Sequence, residues 1–431
     1  MTGFDKIEHA SLTDVGVRRS LNEDNHAILL ASDEEKWRLQ GHLFLVADGM
    51  GGHAVGELAS ELAAANVPHT YHKHAVHGPV VALRRAFQEA NATIYARGQQ
   101  NPEFKEMGTT ATALLLRPEG AWIGHVGDSR VYRIRDGQIE QLTFDHSHVW
   151  DIARRMHLNP EEVPGISSNL LMRSLGPQPM VQVDIEGPHP LRENDIFVLC
   201  SDGLSGQVTD QELGAVATVL PPAEACRFLV DLANLRGGPD NITVLIVRLG
   251  SQSATAASSQ PPARQWRRLP SPLAVQLLGI LLAVGAAILT TVSTWLAVLM
   301  FLLAAAAIVG GLIALLVQHS RQKQRPVEEE IDLSVEPNIY RQSSCRVEPL
   351  LLDKLARAVQ ALKQQAEEKQ WDVDWVVYQR HHEAALCCQS AGQLEAAFAE
   401  YCRAMRPLTE ALSRNRFTEG VLQHVWDKEE A

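Results

Sequence analysis

Three aspartates, Asp48, Asp202 and Asp240, stand where an apolar run meets a turn. Asp48 closes the run in LFLVADGMGGHAVGE, Asp202 follows DIFVLCS, and Asp240 opens the run in GGPDNITVLIV. A further acidic group, Asn22-Glu23-Asp24, lies in RRSLNEDN near the N-terminus. One Asp-Gly step is only a turn signal. Several carboxylates at the ends of buried strands can instead converge on one rim of a sheet. Clustered carboxylates repel and shift each other's pKa unless a cation neutralises them. An all-oxygen donor set, without Cys or His, suits hard ions such as Mg2+ or Mn2+ rather than zinc. The glycines after Asp48 let a backbone carbonyl approach the same ion.

The elements that must position these groups are legible in the hydrophobic pattern. Apolar runs at His42–Ala47, Thr110–Leu116, Ala121–Val126, Ile196–Cys200 and Ile242–Leu249 predict buried strands. They are too short for helices, and turn residues bound them. Three- and four-residue spacing predicts helices at Gly56–Val67 and Val80–Ala96. Strands outnumber helices, so residues 1–250 are expected to form a sheet-on-sheet core flanked by helices.

The segments RRSLNED, VADGMGGHAVGE, GTTATALLL, GHVGDSRVYRIRDG, LTFDHS, LMRSLG, VLCSDGLSG and GGPDNITVLIV follow one another across nearly all of residues 5–250. In this ordered set the chain resembles the metal-dependent Ser/Thr protein phosphatases of type 2C, in their bacterial form. The resemblance implies an α+β fold, an αββα four-layer sandwich of two antiparallel sheets flanked by helices. It also implies a binuclear metal centre of Mn2+ or Mg2+ at one edge. Asp48 would bridge both ions, Gly49 would lend its carbonyl oxygen to one, and Asp202 and Asp240 would bind the other. Glu23 and Asp24 would hold metal-bound waters or coordinate directly. Asp128, in GDSR, would support a third, weaker ion. Arg19 would grip the substrate phosphate, and Asn241 would pack beside Asp240. Arg173 lies in a family motif without an assigned role. Such ions, about 3.5–4 Å apart, would activate a water for in-line attack on phosphorus. The catalytic set is then Arg19, Asp48, Asp202 and Asp240.

Some positions depart from the family. Met50 stands where many eukaryotic members carry a histidine thought to protonate the leaving oxygen. The nearest histidine, His53, reads as a helix-start or supporting residue before an acid. The segment Asp145–Gln182 corresponds to a mobile flap, and its PGISSN differs from the expected bacterial pattern. Asp145 and His146 at its start read as a structural turn, and Cys200 as ordinary burial.

At 431 residues the chain has room for two or three folding units, and its net charge of -12 excludes a nucleic-acid partner. The six cysteines, Cys200, Cys226, Cys345, Cys387, Cys388 and Cys402, form no CxxC pair and read as free thiols. The N-terminus lacks a basic and apolar leader, so the catalytic domain is expected in the cytoplasm. Residues 251–268 read as a linker. Residues 269–318 contain no Asp, Glu, Lys, Arg or His. One helix over Leu273–Val317 would be about 68 Å long against a hydrocarbon core of about 30 Å. Two transmembrane helices fit instead. Arg264, Arg267 and Arg268 before them, and Arg321, Lys323 and Arg325 after them, hold both ends of the hairpin inside.

Residues 319–349 read as a second linker and 350–431 as a helical cytoplasmic tail. Two helices turning at Ala391–Gln393 resemble a single degenerate tetratricopeptide unit. The tail is either a module for an unidentified protein partner or the end of a helical bundle. The expected function is hydrolysis of phosphoserine and phosphothreonine in proteins at the cytoplasmic membrane face, opposing a Ser/Thr kinase. One alternative is a catalytically weak, membrane-anchored phosphoprotein-binding scaffold, against which the complete acidic set speaks. The other, a transporter built on the hairpin, lacks intramembrane ionisable residues.

Overall fold

The computed structural model describes residues 7–51, 54–163, 170–250 and 338–415. The chain opens with β1 (Ile7–Asp14), β2 (Asp24–Leu29), α1 (Glu34–Leu39), β3 (His42–Met50), α2 (Ala54–His74) and α3 (Pro79–Gly98). Then come β4 (Gly108–Thr109), β5 (Ala111–Arg117), β6 (Gly120–Val126), β7 (Arg130–Arg135), β8 (Gln138–Gln141) and α4 (His148–Met156). β9 (Asp184–His189), β10 (Ile196–Cys200), α5 (Asp202–Ser205), α6 (Asp210–Val219), α7 (Pro222–Leu235) and β11 (Ile242–Leu249) follow. The C-terminal part contributes β12 (Arg341–Ser344), α8 (Pro349–Glu368), α9 (Trp375–Ser390) and α10 (Leu394–Asn415).

Two antiparallel sheets result, ordered β1-β11-β10-β7-β8-β12 and β2-β3-β5-β6-β9, with β4 beside β3. The apolar runs are continuous because their strands are covered on both faces. Along β3, Leu43, Leu45 and Ala47 join the core under α2 and α3. Phe44 and Val46, one residue out of phase, pack between the sheets with Phe197, Leu199, Leu245 and Val247 of β10 and β11. The alternate residues of those strands, Ile196, Val198, Val244 and Ile246, turn to the helices on the other side. A period of two therefore divides each run between two cores. Pro79 opens α3, where a missing N–H costs nothing, and Ala82, Leu83, Ala86, Phe87, Ala90 and Ile94 form its buried stripe. The layers run helix, sheet, sheet, helix.

The second helical layer continues into the C-terminal region. Leu213, Val216 and Leu229 of α6 and α7 share one buried cluster with Leu352, Leu355, Phe398, Met405 and Leu408 of α8 and α10. Arg403 Nε donates to Glu224 at 2.8 Å, and Thr409 Oγ1 donates to Asp231 at 2.8 Å. The described residues of 7–250 and 338–415 thus form one compact unit. The predicted tail is therefore joined to the N-terminal sandwich over its described length. A lone helix pair has an apolar face with no repeat neighbour to cover it, and α6 and α7 supply that cover. Within the stretch read as a linker, the polar RQSS of β12 pairs with β8. Its order comes from main-chain bonds, not from side-chain patterning. The predicted turn at Ala391–Gln393 does separate α9 from α10.

Among the described residues, no helix is long and apolar enough to cross a membrane. The predicted hairpin at 269–318 lies outside them.

Candidate metal centre

Four stretches of chain meet at one rim of the sandwich. The antiparallel pairing of β2 with β3 sets Asp24 directly opposite Asp48. The end of β10 delivers Ser201 and Asp202, and the turn into β11 delivers Asp240 and Asn241. The β1–β2 loop carries Arg19 and Glu23.

The carboxylates feel one another strongly. Burial, then Asp24, Asp202, Asp128 and Asp240, hold the Asp48 carboxyl well above the usual carboxylate range. Burial also raises Asp24, to about 7; Ser201 and Thr243 pull against it, while Asp202 and Asp240 push with it. Asp202 is raised by burial and by Asp240, and its hydrogen bond to Asp48 pulls the other way. Asp128 is raised by burial and by Asp202 and Asp145. A divalent cation among them would favour their charged forms. Asp24 Oδ1 and Asp202 Oδ1 are buried without a protein hydrogen-bond partner.

Several neighbours fix this rim. Ser201 Oγ donates to Asp24 Oδ2 at 2.7 Å and accepts from the Thr243 N–H at 2.9 Å. The Asp48 N–H donates to Thr110 Oγ1 at 2.9 Å, and Thr110 Oγ1 bonds Ser129 Oγ at 2.8 Å. Asn241 does more than pack beside Asp240. Its Nδ2 donates to the carbonyls of Val15 and Leu21, each at 2.9 Å, and its Oδ1 accepts from the Glu23 N–H at 2.8 Å. That uses both amide ends to latch the loop carrying Arg19 and Glu23. Arg19 Nη2 donates to Asp240 Oδ2 at 2.8 Å, with the arginine side chain 48% exposed. Gly49 has a packing reason besides carbonyl access: a Cβ there would lie 2.2 Å from the Gly56 oxygen and 2.6 Å from the Glu23 oxygen.

Other predicted residues sit apart from the rim. Arg173 Nη1 donates to Asp184 at 2.7 Å and meets His146 Nε2 at 3.0 Å. Asp145 accepts from Arg130 Nε and Nη2 and from Gln141 Nε2, a structural role. Cys200 is fully buried, which pushes its thiol up to about 12 and makes it inert. All six cysteines are free. His53 and the PGISSN segment lie outside the described residues.

Ser201, Thr110 and the latching amide of Asn241 were not legible as positioning groups. Serine and threonine are common at strand ends, and only their hydrogen bonds reveal the role.

The rim opens into a cavity of about 880 Å³, lined by Arg19, Asp128, Asp202 and Asp240 and also by Trp150 and Arg341. Among the described residues, no three His, Cys, Asp or Glu side chains already stand in metal-ligand geometry. The donor set nevertheless fits hard cations. It is all oxygen, two buried carboxylate oxygens have no protein partner, and burial with neighbouring acids pushes Asp24 and Asp48 above the usual carboxylate range.

The family profile described as Protein phosphatase 2C matches residues 9–149. The chain is 33% identical over 256 residues to Protein phosphatase PhpP of Streptococcus pneumoniae, covering 58% of this chain and 100% of that protein. It is 33% identical over 234 residues to Serine/threonine protein phosphatase PstP of Mycobacterium tuberculosis, over 53% of this chain. There the chain spans 45% of the relative's length. The structure of the S. agalactiae serine/threonine phosphatase matches with a TM-score of 0.51 at 33% identity, covering 56% of this chain and 98% of that one.

Proposed function

The chain belongs to the protein phosphatase 2C family, and from that premise we propose that it hydrolyses phosphoserine and phosphothreonine in proteins with the help of divalent cations. One observation carries the reading: Asp24, Asp48, Asp202 and Asp240 converge on one rim, where burial and the neighbouring acids push Asp24, Asp48 and Asp202 above the usual carboxylate range. Asp48, the Gly49 carbonyl, Asp202 and Asp240 would hold two Mn2+ or Mg2+ ions. Glu23 and Asp24 would act directly or through water, and Asp128 would serve a third ion. When bound, the cations supply Lewis acidity and activate water at neutral pH.

The protein's own part is positioning. Ser201 orients Asp24 and leaves its second oxygen open to a ligand. Asn241 holds the loop that carries Arg19 at the mouth of the cavity. The Arg19 guanidinium, already paired with Asp240, presents N–H groups to a phosphate, the planar fork that phosphate recognition favours. Cys200 takes no part as a nucleophile.

The test uses the full chain and a phosphothreonine peptide. Turnover rises with added Mn2+ and stops in excess chelator. Hydrolysis that persists in chelator removes the cation mechanism. Tight binding of phosphopeptides without turnover favours the scaffold instead. Residues 269–318 read as a hairpin that tethers the enzyme to the membrane face, where it would oppose a Ser/Thr kinase. Solubility of the full chain without detergent would contradict that tether.

A further inference from the structure

A second cavity, of about 620 Å³, is lined by α7, α9 and α10 and shares no lining residue with the one at the carboxylate rim. Its volume lies in the range of small-molecule sites, about 300–1,000 Å³. On α7, Glu224, Arg227, Phe228 and Asp231 follow one another at three- and four-residue spacing, so one helix face supplies that side. Phe228, Val377, Met405 and Pro407 give the cavity an apolar lining. The site therefore exists only because the C-terminal helices pack on the sandwich.

Its charges do not balance locally. Glu224 accepts from Arg403 Nε, and Glu410 from Arg406 Nε, each at 2.8 Å. Asp374 caps α9 by accepting from the Val377 N–H at 3.0 Å, and Asp231 accepts from Thr409 Oγ1 at 2.8 Å. All four carboxylates of the lining are thus engaged, and two of its arginines with them. The other two, Arg227 of α7 and Arg380 of α9, are exposed and have no carboxylate partner among the described residues. Arg380 is nevertheless held in place. Its Nη2 lies 3.1 Å from His381 Nε2, and a guanidinium can only donate, so His381 turns its Nδ1–H to Glu400 at 2.7 Å. Glu400 accepts in turn from Arg403 Nη1 at 2.6 Å. This series fixes the Arg380 guanidinium and leaves most of its N–H groups unmatched.

We propose that this cavity binds a small organic oxyanion whose acid group is held by Arg227 and Arg380. Guanidinium N–H groups match the oxygens of such a group, and the apolar lining takes the body that carries it. The engaged carboxylates around the same cavity repel an extended acidic chain, which favours a compact anion. The inference does not depend on the phosphatase reading.

The experiment titrates the full chain, with Mn2+ present, against phenylphosphonate, an aromatic oxyanion with no ester bond to cleave. Calorimetry should show binding that weakens as salt is raised. Arg227→Gln and Arg380→Gln should each weaken it about tenfold, the size of one charge-assisted hydrogen bond. Both side chains are exposed, so the variants should keep the wild-type melting temperature and turnover of p-nitrophenyl phosphate. Arg19→Gln, which alters the rim, should leave this binding in place. Inorganic phosphate, lacking the apolar body, should bind more weakly than phenylphosphonate. No binding to the wild type at millimolar concentration overturns the proposal. So does binding that survives both Arg227→Gln and Arg380→Gln but vanishes in Arg19→Gln, which would put the anion at the rim. A polyglutamate peptide that competes as well as phenylphosphonate overturns the small-ligand assignment. Binding without turnover of any phosphoester would sink the phosphatase reading and leave this inference standing.

Discussion

Glu212 and Asp24 are carboxylates of nearly equal burial, 5% and 6% exposed, at two places on the same sandwich. Burial pushes both upward, but their neighbours differ. Glu212 receives two N–H bonds from Arg236, at 2.6 and 2.8 Å, and lies below its ordinary value. Asp24 has hydroxyl donors and two neighbouring aspartates, Asp202 and Asp240, and is pushed up to about 7. Depth of burial therefore does not separate a structural acid from a ligand-seeking one. The nearest formal charge does.

The contrast can be broken most severely at the rim. Asp202→Ala should lower Mn2+-dependent kcat/KM on a phosphothreonine peptide by about three to four orders of magnitude, as loss of a cation ligand predicts. Its denaturation midpoint should hold or rise, because a repelling charge is gone. A parallel fall in stability would mean that Asp202 is structural after all.

Arg236→Ala should do the reverse. It leaves the Glu212 carboxylate buried without its cation, and should cost about 3–5 kcal/mol in urea unfolding. Activity per folded molecule should change little.

Asn241→Ala sits between the two cases. It strands the Glu23 N–H and the Val15 and Leu21 carbonyls, and should cost about 1–3 kcal/mol of stability. It should also raise KM, because the loop bearing Arg19 loses its latch. Unchanged KM would separate the latch from substrate binding.

The smallest effect is in pH. The Glu212 value is depressed below its ordinary 4.5, so the pair's stabilisation is fully present above 4.5 and fades as pH falls through the folded-state value. Unfolding midpoints of the wild type should converge on those of Glu212→Gln as the solution is acidified. A gap that stays constant with pH would show that the side chain acts by packing alone.

Much of the fold could be read along the chain. β10 and β11 occupy the predicted Ile196–Cys200 and Ile242–Leu249, because a strand covered on both faces must be apolar throughout. β12 could not be read, since RQSS is an edge strand ordered by main-chain bonds. The union of α8 and α10 with α6 and α7 was equally hidden. An apolar helix stripe states that it needs cover, not which surface provides it.

The sequence by itself determined which acids exist and that Asp48, Asp202 and Asp240 stand where apolar runs begin or stop, because local periodicity sets those limits. Tertiary structure alone decided that these ends share one rim, that Glu212 meets an arginine where Asp24 meets other acids, and that Arg341 returns to the same cavity. Those outcomes depend on strand register and layer packing between residues hundreds of positions apart, and no local pattern encodes them.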